Sequence, residues 1–116
     1  MPVANEKKIV RKAPPHRVGS ILESIIGCKW SLTVYDLIDQ GINRPGAVER
    51  SVEGLSAKVL GDCLRRNVEL GILTRRAYPE IPPRVEYVFT PFGRKFTRVL
   101  AAVRELEAEL ERDGLP

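Results

Sequence analysis

The stretch 54–87, GLSAKVLGDCLRRNVELGILTRRAYPEIPPRVEY, decides the fold. Ser56 precedes a helical run and can accept from the free backbone N–H groups of its first turn, while Gly71 can take the left-handed backbone that ends a helix. A helix is therefore expected over about residues 57–70. At about 100° per residue, Leu60, Cys63, Leu64 and Val68 share one face, and Lys58, Gly61, Asp62, Arg65 and Glu69 share the opposite one. After Gly71 the pattern changes: residues 72–78 and 84–89 read as strands, joined by the turn PEIPP, whose prolines cannot donate to a ladder. Arg75, Arg76 and Arg84 sit on this hairpin.

Upstream, Val18, Ile21, Leu22 and Ile25 recur at helical spacing until Gly27 interrupts them. A second helix is expected over 29–40, with Trp30, Val34, Leu37 and Ile38 on one stripe and Trp30 as a core anchor. Gly41 ends it, and Arg44-Pro45 opens a weaker third helix running to about Val52, because proline is acceptable at a first helical position. Gly54 and Leu55 turn the chain into Ser56, so the third and fourth helices form a helix-turn-helix whose second member is 57–70. The fold class is mainly α with one small β-hairpin (α+β), a winged helix-turn-helix.

Downstream, Thr90 can cap a helix starting at Pro91 and running to about Asp113. Phe96, Val99, Val103, Leu106 and Leu110 step along it by three and four, as a heptad seam does, and such a stripe wants a partner helix. At 1.5 Å per residue the helix is about 35 Å long, more than a small core covers. A homodimer through the terminal helices is expected, with Ile21 and Ile25 of the first helix joining that seam. A small ligand could sit between the apolar faces of these helices.

A chain of 116 residues, 43% hydrophobic, makes about one domain, read as residues 18–113 behind a basic arm, 1–17. No apolar run approaches a membrane span or a signal-peptide core, so a cytoplasmic protein without membrane association is expected. Two cysteines, Cys28 and Cys63, make no disulfide framework, and His16 alone cannot complete a zinc site; neither a metal nor a cofactor is expected. There is no nucleophile with a paired base and no glycine-rich phosphate loop, so an enzyme is not expected.

The net charge of +4 is unevenly spread: +4 over 1–17, −2 over 18–43, +2 over 44–90 and zero over 91–116. The arm, with Lys7, Lys8, Arg11, Lys12 and Arg17, and the basic hairpin together form a footprint suited to phosphates. On helix 57–70, Ser56, Ala57 and the helix N-terminus would approach a phosphate or base edge. Lys58 and Arg65 would supply phosphate or guanine contacts, Arg66 lies to the side, and Arg76 and Arg84 would place the wing on the backbone. Asp62, on the same face, repels phosphate but can accept from a cytosine amino group. As an alternative, the fold could be a module that binds another protein, which would account for the low charge around Gly61 and Asp62.

The order Lys29-Trp30, Arg44, Leu55-Ser56, Lys58, Leu60, Leu64-Arg65, Gly71-Ile72, Tyr78, Pro82-Pro83-Arg84-Val85-Glu86-Tyr87, Thr90 and Gly93 resembles the HxlR-type (MarR-like) winged-helix transcription regulators over about residues 21–106. The resemblance implies a small homodimer on double-stranded operator DNA, an inverted repeat, with the helix after Ser56 in the major groove, the hairpin as wing and an effector that varies among members. The chain departs from that pattern in four places. Cys28 stands where glycine usually precedes Lys-Trp, close to but not at the position of the cysteine in oxidant-sensing members, so Cys28 is a candidate redox-sensing thiol and Cys63 a core residue. Pro45 replaces an apolar anchor, Asn67 takes a position usual for leucine in the middle of the packed face, and Asp62 lies on the face assigned to DNA. A buried Asn67 amide needs partners, from a neighbouring backbone or through a shifted helix.

Overall fold

The computed structural model describes residues 17–26 and 28–114, in which five helices flank one antiparallel hairpin. The helices are α1 (Arg17–Ile26), α2 (Ser31–Asp39), α3 (Pro45–Ser51), α4 (Ala57–Glu69) and α5 (Pro91–Asp113), with β1 (Leu73–Tyr78) and β2 (Arg84–Phe89) between α4 and α5. Of the basic arm, only Arg17 falls within these residues, and it opens α1. Lys7, Lys8, Arg11 and Lys12 lie outside them.

The local signals for the central unit act as the chain reads. Ser56 accepts from the Val59 N–H at 3.2 Å, and Gly71 follows α4 at φ +80°, a backbone that side-chain-bearing residues rarely adopt. The hairpin register runs from Leu73 opposite Phe89 to Tyr78 opposite Arg84. Helix α2 starts at Ser31, two residues later than expected, and Trp30 occupies its N-cap. The indole is half-buried against the edge of the core, with Lys29 Nζ 5.2 Å from the ring centroid, so Trp30 is a lid on the core more than its anchor.

Every helix contributes to the core: Ile25, Val34, Tyr35, Ile38, Val48, Leu55, Leu60, Leu64, Ile72, Leu73, Phe96 and Leu100 are buried there. On α4 the buried set is Leu60, Cys63, Leu64 and Asn67, and Val68 is exposed. The helical wheel explains this correction, since Asn67 lies about 20° from Leu60 and Val68 about 80°. The asparagine is satisfied without any shift of the helix. Its Nδ2 donates to the Cys63 carbonyl at 2.9 Å, and the buried Tyr35 hydroxyl donates to its Oδ1. A polar pair inside the core thus bolts α4 to α2.

Helix α5 is held at its start and runs free at its end. The Thr90 hydroxyl caps it, accepting from the Gly93 N–H at 2.8 Å. Arg94 pairs with Asp39 at 2.6 Å, and Arg104 reaches both Asp36 and the Leu32 carbonyl, tying the helix to α2. Phe96 is 3% exposed and Leu106 66%, which divides the apolar stripe in two. Ile25 and Phe96 belong to the chain's own core and are not seam residues; Ile21 and Val103 are partly covered; Val99, Leu106 and Leu110 are open. No helix among the described residues is long and apolar enough to cross a membrane.

Candidate nucleic-acid interface

Helix α4 turns one face inward through the residues above, so everything at the other positions of its first three turns is presented outward. Ser56, Ala57, Lys58, Asp62, Arg65 and Arg66 are all exposed, as expected for a face that meets a partner. They are not independent of one another. Asp62 sits between the two cations, 3.2 Å from Lys58 Nζ and 3.0 Å from Arg65 Nη1, at i,i+4 and i,i+3 spacing. Hydrogen bonds from Lys58, then Arg65, hold the Asp62 carboxyl below its ordinary range, so it is ionised at neutral pH. Lys58, Asp62 and Arg65 therefore present one net positive charge instead of two. Arg66 stands apart on the rim of a 540 Å³ groove between α1 and α4, which Arg65, Cys28 and Cys63 also line.

The hairpin projects beside α4, and its arginines divide by role. Arg84 packs its guanidinium 4.0 Å from the centre of the Tyr78 ring, its cross-strand partner, and pairs with Glu80 at 3.1 Å and Glu86 at 3.8 Å. These contacts hold the hairpin together, and a DNA backbone would have to compete with them for the guanidinium. Arg75 and Arg76 are exposed on β1 and make no ion pair among the described residues. Both are therefore open to a partner, including Arg75, which was left out of the expected contact set. Strand alternation puts Glu86 on the same face as Arg84, but it does not give the turn that brings Glu80 back or the register that sets Tyr78 opposite.

The wing is also fixed to the helix-turn-helix. The Tyr87 N–H donates to the Asn43 carbonyl at 2.9 Å, and Arg44 approaches Glu86 at 3.7 Å, so β2 is anchored one residue before α3 begins. Helix, turn, helix and wing are thereby tied together, with exposed cations on α4 and on β1, where the adjacent Arg75 and Arg76 point to opposite faces of the hairpin. Among the described residues no cluster of three or more His, Cys, Asp or Glu side chains is placed to hold a metal ion.

Comparison with known proteins matches this architecture. The chain is 41% identical over 87 residues to an uncharacterized HTH-type transcriptional regulator of Synechocystis sp., covering 74% of this chain and 64% of that protein. It is 32% identical over 77 residues to the uncharacterized HTH-type transcriptional regulator YtfH of Escherichia coli K12, covering 66% and 61%. The match thus spans less than two thirds of either relative's length. Among solved structures, a protein of Enterococcus faecalis V583 described as a transcriptional regulator of the MarR family superposes with a TM-score of 0.73 at 28% identity, over 90% of this chain and 96% of that one. The redox regulator HypR in its reduced form superposes with a TM-score of 0.70 at 29% identity, over 81% and 92%. The HxlR-like helix-turn-helix model matches residues 25–113, which takes in the α3–α4 unit, the wing and all of α5, and the chain belongs to that family.

Proposed function

We propose that the chain is a DNA-binding transcriptional regulator that acts as a homodimer in the cytoplasm, with α4 in the major groove and the β1–β2 wing on the flanking backbone. The observation that carries this reading is the exposed, Ser56-capped start of α4 with its Lys58, Arg65 and Arg66, next to a hairpin whose exposed Arg75 and Arg76 make no ion pair among the described residues. The α4 side chains suit base edges and the wing cations suit phosphates. Dimerisation through α5 is supported by the uncovered Val99, Leu106 and Leu110 on a helix that outruns its own core. Two copies of α4 related by a two-fold axis would read an inverted repeat.

Selection of bound sequences from random duplex DNA tests the whole reading. An enriched inverted repeat is the expected result; no enrichment at low salt, with the dimer intact, would overturn it in favour of a protein partner. Within the selected site, Lys58→Ala and Arg76→Ala should each weaken binding and lower the salt slope by about one. Arg84→Ala should instead act through the hairpin, loosening the wing while leaving the slope nearly unchanged. Asp62→Ala removes the carboxylate that offsets Lys58 and Arg65, and is expected to raise affinity for non-specific duplex and steepen its salt slope by about one. Fluorescence anisotropy over a salt series reads all four.

The dimer has its own test. Leu106→Glu with Leu110→Glu should raise the dimer dissociation constant at least ~100-fold, since burying a leucine is worth ~1.5–3 kcal/mol. Sedimentation equilibrium would measure it. A dimer undisturbed by this pair of substitutions would place the interface elsewhere.

A further inference from the structure

The groove between α1 and α4 contains both cysteines of the chain, which the DNA-binding reading leaves unused. Cys28 lies half-buried ahead of α2, and Cys63 is buried on the inner face of α4. Both thiols line the same 540 Å³ groove, together with Glu23, Ser24, Val59 and Arg66. Ser31 Oγ stands 3.7 Å from Cys63 Sγ, and the Ser31 N–H donates to the Cys28 carbonyl at 3.3 Å, so one residue at the start of α2 touches both cysteines.

We propose that Cys28 and Cys63 are an oxidant-responsive dithiol, converted by a hydroperoxide to a disulfide within one chain that ties α4 to the start of α2. The two thiols differ in the way such a pair requires. Burial pushes Cys28 up, but hydrogen bonds from the Ser31 side chain, the Trp30 backbone, Cys63 and the Ser31 backbone outweigh it, leaving the thiol below its ordinary value. Burial and the neighbouring Cys28 push Cys63 up to about 11, against the hydrogen bond of Ser31. Cys28 is therefore the attacking thiolate and Cys63 the resolving thiol.

In the first step the Cys28 thiolate attacks the O–O bond of the hydroperoxide. A sulfur–oxygen bond forms, the O–O bond breaks, and the departing oxygen takes up the proton that Cys28 released on ionising and leaves as water or an alcohol. In the second step Cys63 sulfur displaces the hydroxyl from the Cys28 sulfenic acid, which leaves as water with the Cys63 proton. The two thiols lose two electrons and two protons, and the peroxide is reduced by the same amount.

The consequence for α4 follows from what Cys63 touches. Its sulfur is 3.7 Å from Ser31 Oγ and 3.6 Å from Asn67 Nδ2, and its carbonyl accepts from that same amide. Drawing Cys63 onto Cys28 disturbs the polar pair that seats α4 on α2. This regulatory consequence rests on the DNA-binding reading; the covalent step does not.

The test treats the 116-residue chain with hydrogen peroxide and maps its peptides without reduction. The expected result is a Cys28–Cys63 cross-link with a mass loss of two hydrogens per chain. Cys28→Ser should abolish it, and Cys63→Ser should leave a Cys28 sulfenic acid that dimedone captures. The wild-type map needs no variant to fold. Cross-links between chains, or a free Cys63 after Cys28 is fully oxidised, would overturn the proposal. On a selected DNA site, oxidation should lower affinity about tenfold, reversibly with a dithiol reductant. An intrachain cross-link with unchanged affinity would remove the coupling to α4, whereas failure of the reduced protein to select any DNA would remove the DNA-binding reading and leave the covalent pair standing.

Discussion

Replacing Gly93 with alanine is expected to lower the melting temperature by on the order of 10–20 °C. Gly93 is the third residue of α5, and a Cβ built there would lie 2.1 Å from the Ile72 carbonyl oxygen and 3.0 Å from its carbon. Both are backbone atoms at the junction of α4 and β1, and they are held from several sides. Thr90 N–H donates to that same Ile72 oxygen at 3.0 Å, and the Thr90 hydroxyl donates to Gly71 and accepts from Gly93. The neighbour cannot yield without opening the α5 cap or the start of the hairpin, so the cost sits at or above the upper end of the ~1–3 kcal/mol of ordinary overpacking. Gly61→Ala is the contrasting substitution. Its Cβ would meet nothing within 4 Å on the outer face of α4, and removing a helix-interior glycine should stabilise by up to about 1 kcal/mol. Thermal unfolding of the two variants measured side by side checks the pair. Equal effects would mean that α5 does not approach Ile72 as closely as described.

The second large effect lies in the core bolt between α2 and α4. Tyr35→Phe leaves the buried Asn67 Oδ1 without its donor and should cost about 1–3 kcal/mol. Asn67→Leu strands the Tyr35 hydroxyl and should cost a similar amount; burial holds that hydroxyl far above its ordinary proton affinity, so it stays protonated and cannot escape the loss by ionising. Removing both polar groups at once replaces the pair with apolar atoms of similar size and should recover most of the stability. A double-mutant cycle by chemical denaturation is expected to give a coupling of about 1–2 kcal/mol. Additive losses would show that the two side chains do not depend on one another. A leucine at position 67 reads locally as a better core residue than asparagine; only the tyrosine across the helix pair makes it the worse one.

What could be read from the residues, and what could not, divides along range of interaction. The helix of α4 was legible from Ser56 to Gly71 because caps and glycine act on their own turn. The hairpin was legible because strand alternation and proline placement are local, and the 91–113 helix because Thr90, Pro91 and a stepped apolar stripe need no other element. The order of these elements was sufficient to indicate a winged helix-turn-helix, which the family match bears out.

The candidate interface was legible only in part. Its helix positions followed from periodicity, so Ser56, Lys58, Asp62, Arg65 and Arg66 are exposed as read. The wing did not follow, because Arg84 and Arg76 are the same residue type on the same hairpin. What distinguishes them is that Tyr78, Glu80 and Glu86 lie against the Arg84 guanidinium, whereas Arg76, though opposite Glu86 in the register, makes no ion pair among the described residues.

The element order, the caps and the outward face of α4 follow from the residues alone, because contacts within a few positions set all three. Tertiary structure alone decided that Ile25 and Phe96 serve the core, that Arg84 serves the hairpin, that Asn67 finds Tyr35, and that Cys28 meets Cys63. For Arg84 the deciding factor is the hairpin register and turn; the others depend on which side chain from a distant element arrives at a given surface, and pairing across 32 positions, as between Tyr35 and Asn67, leaves no periodic trace in the chain.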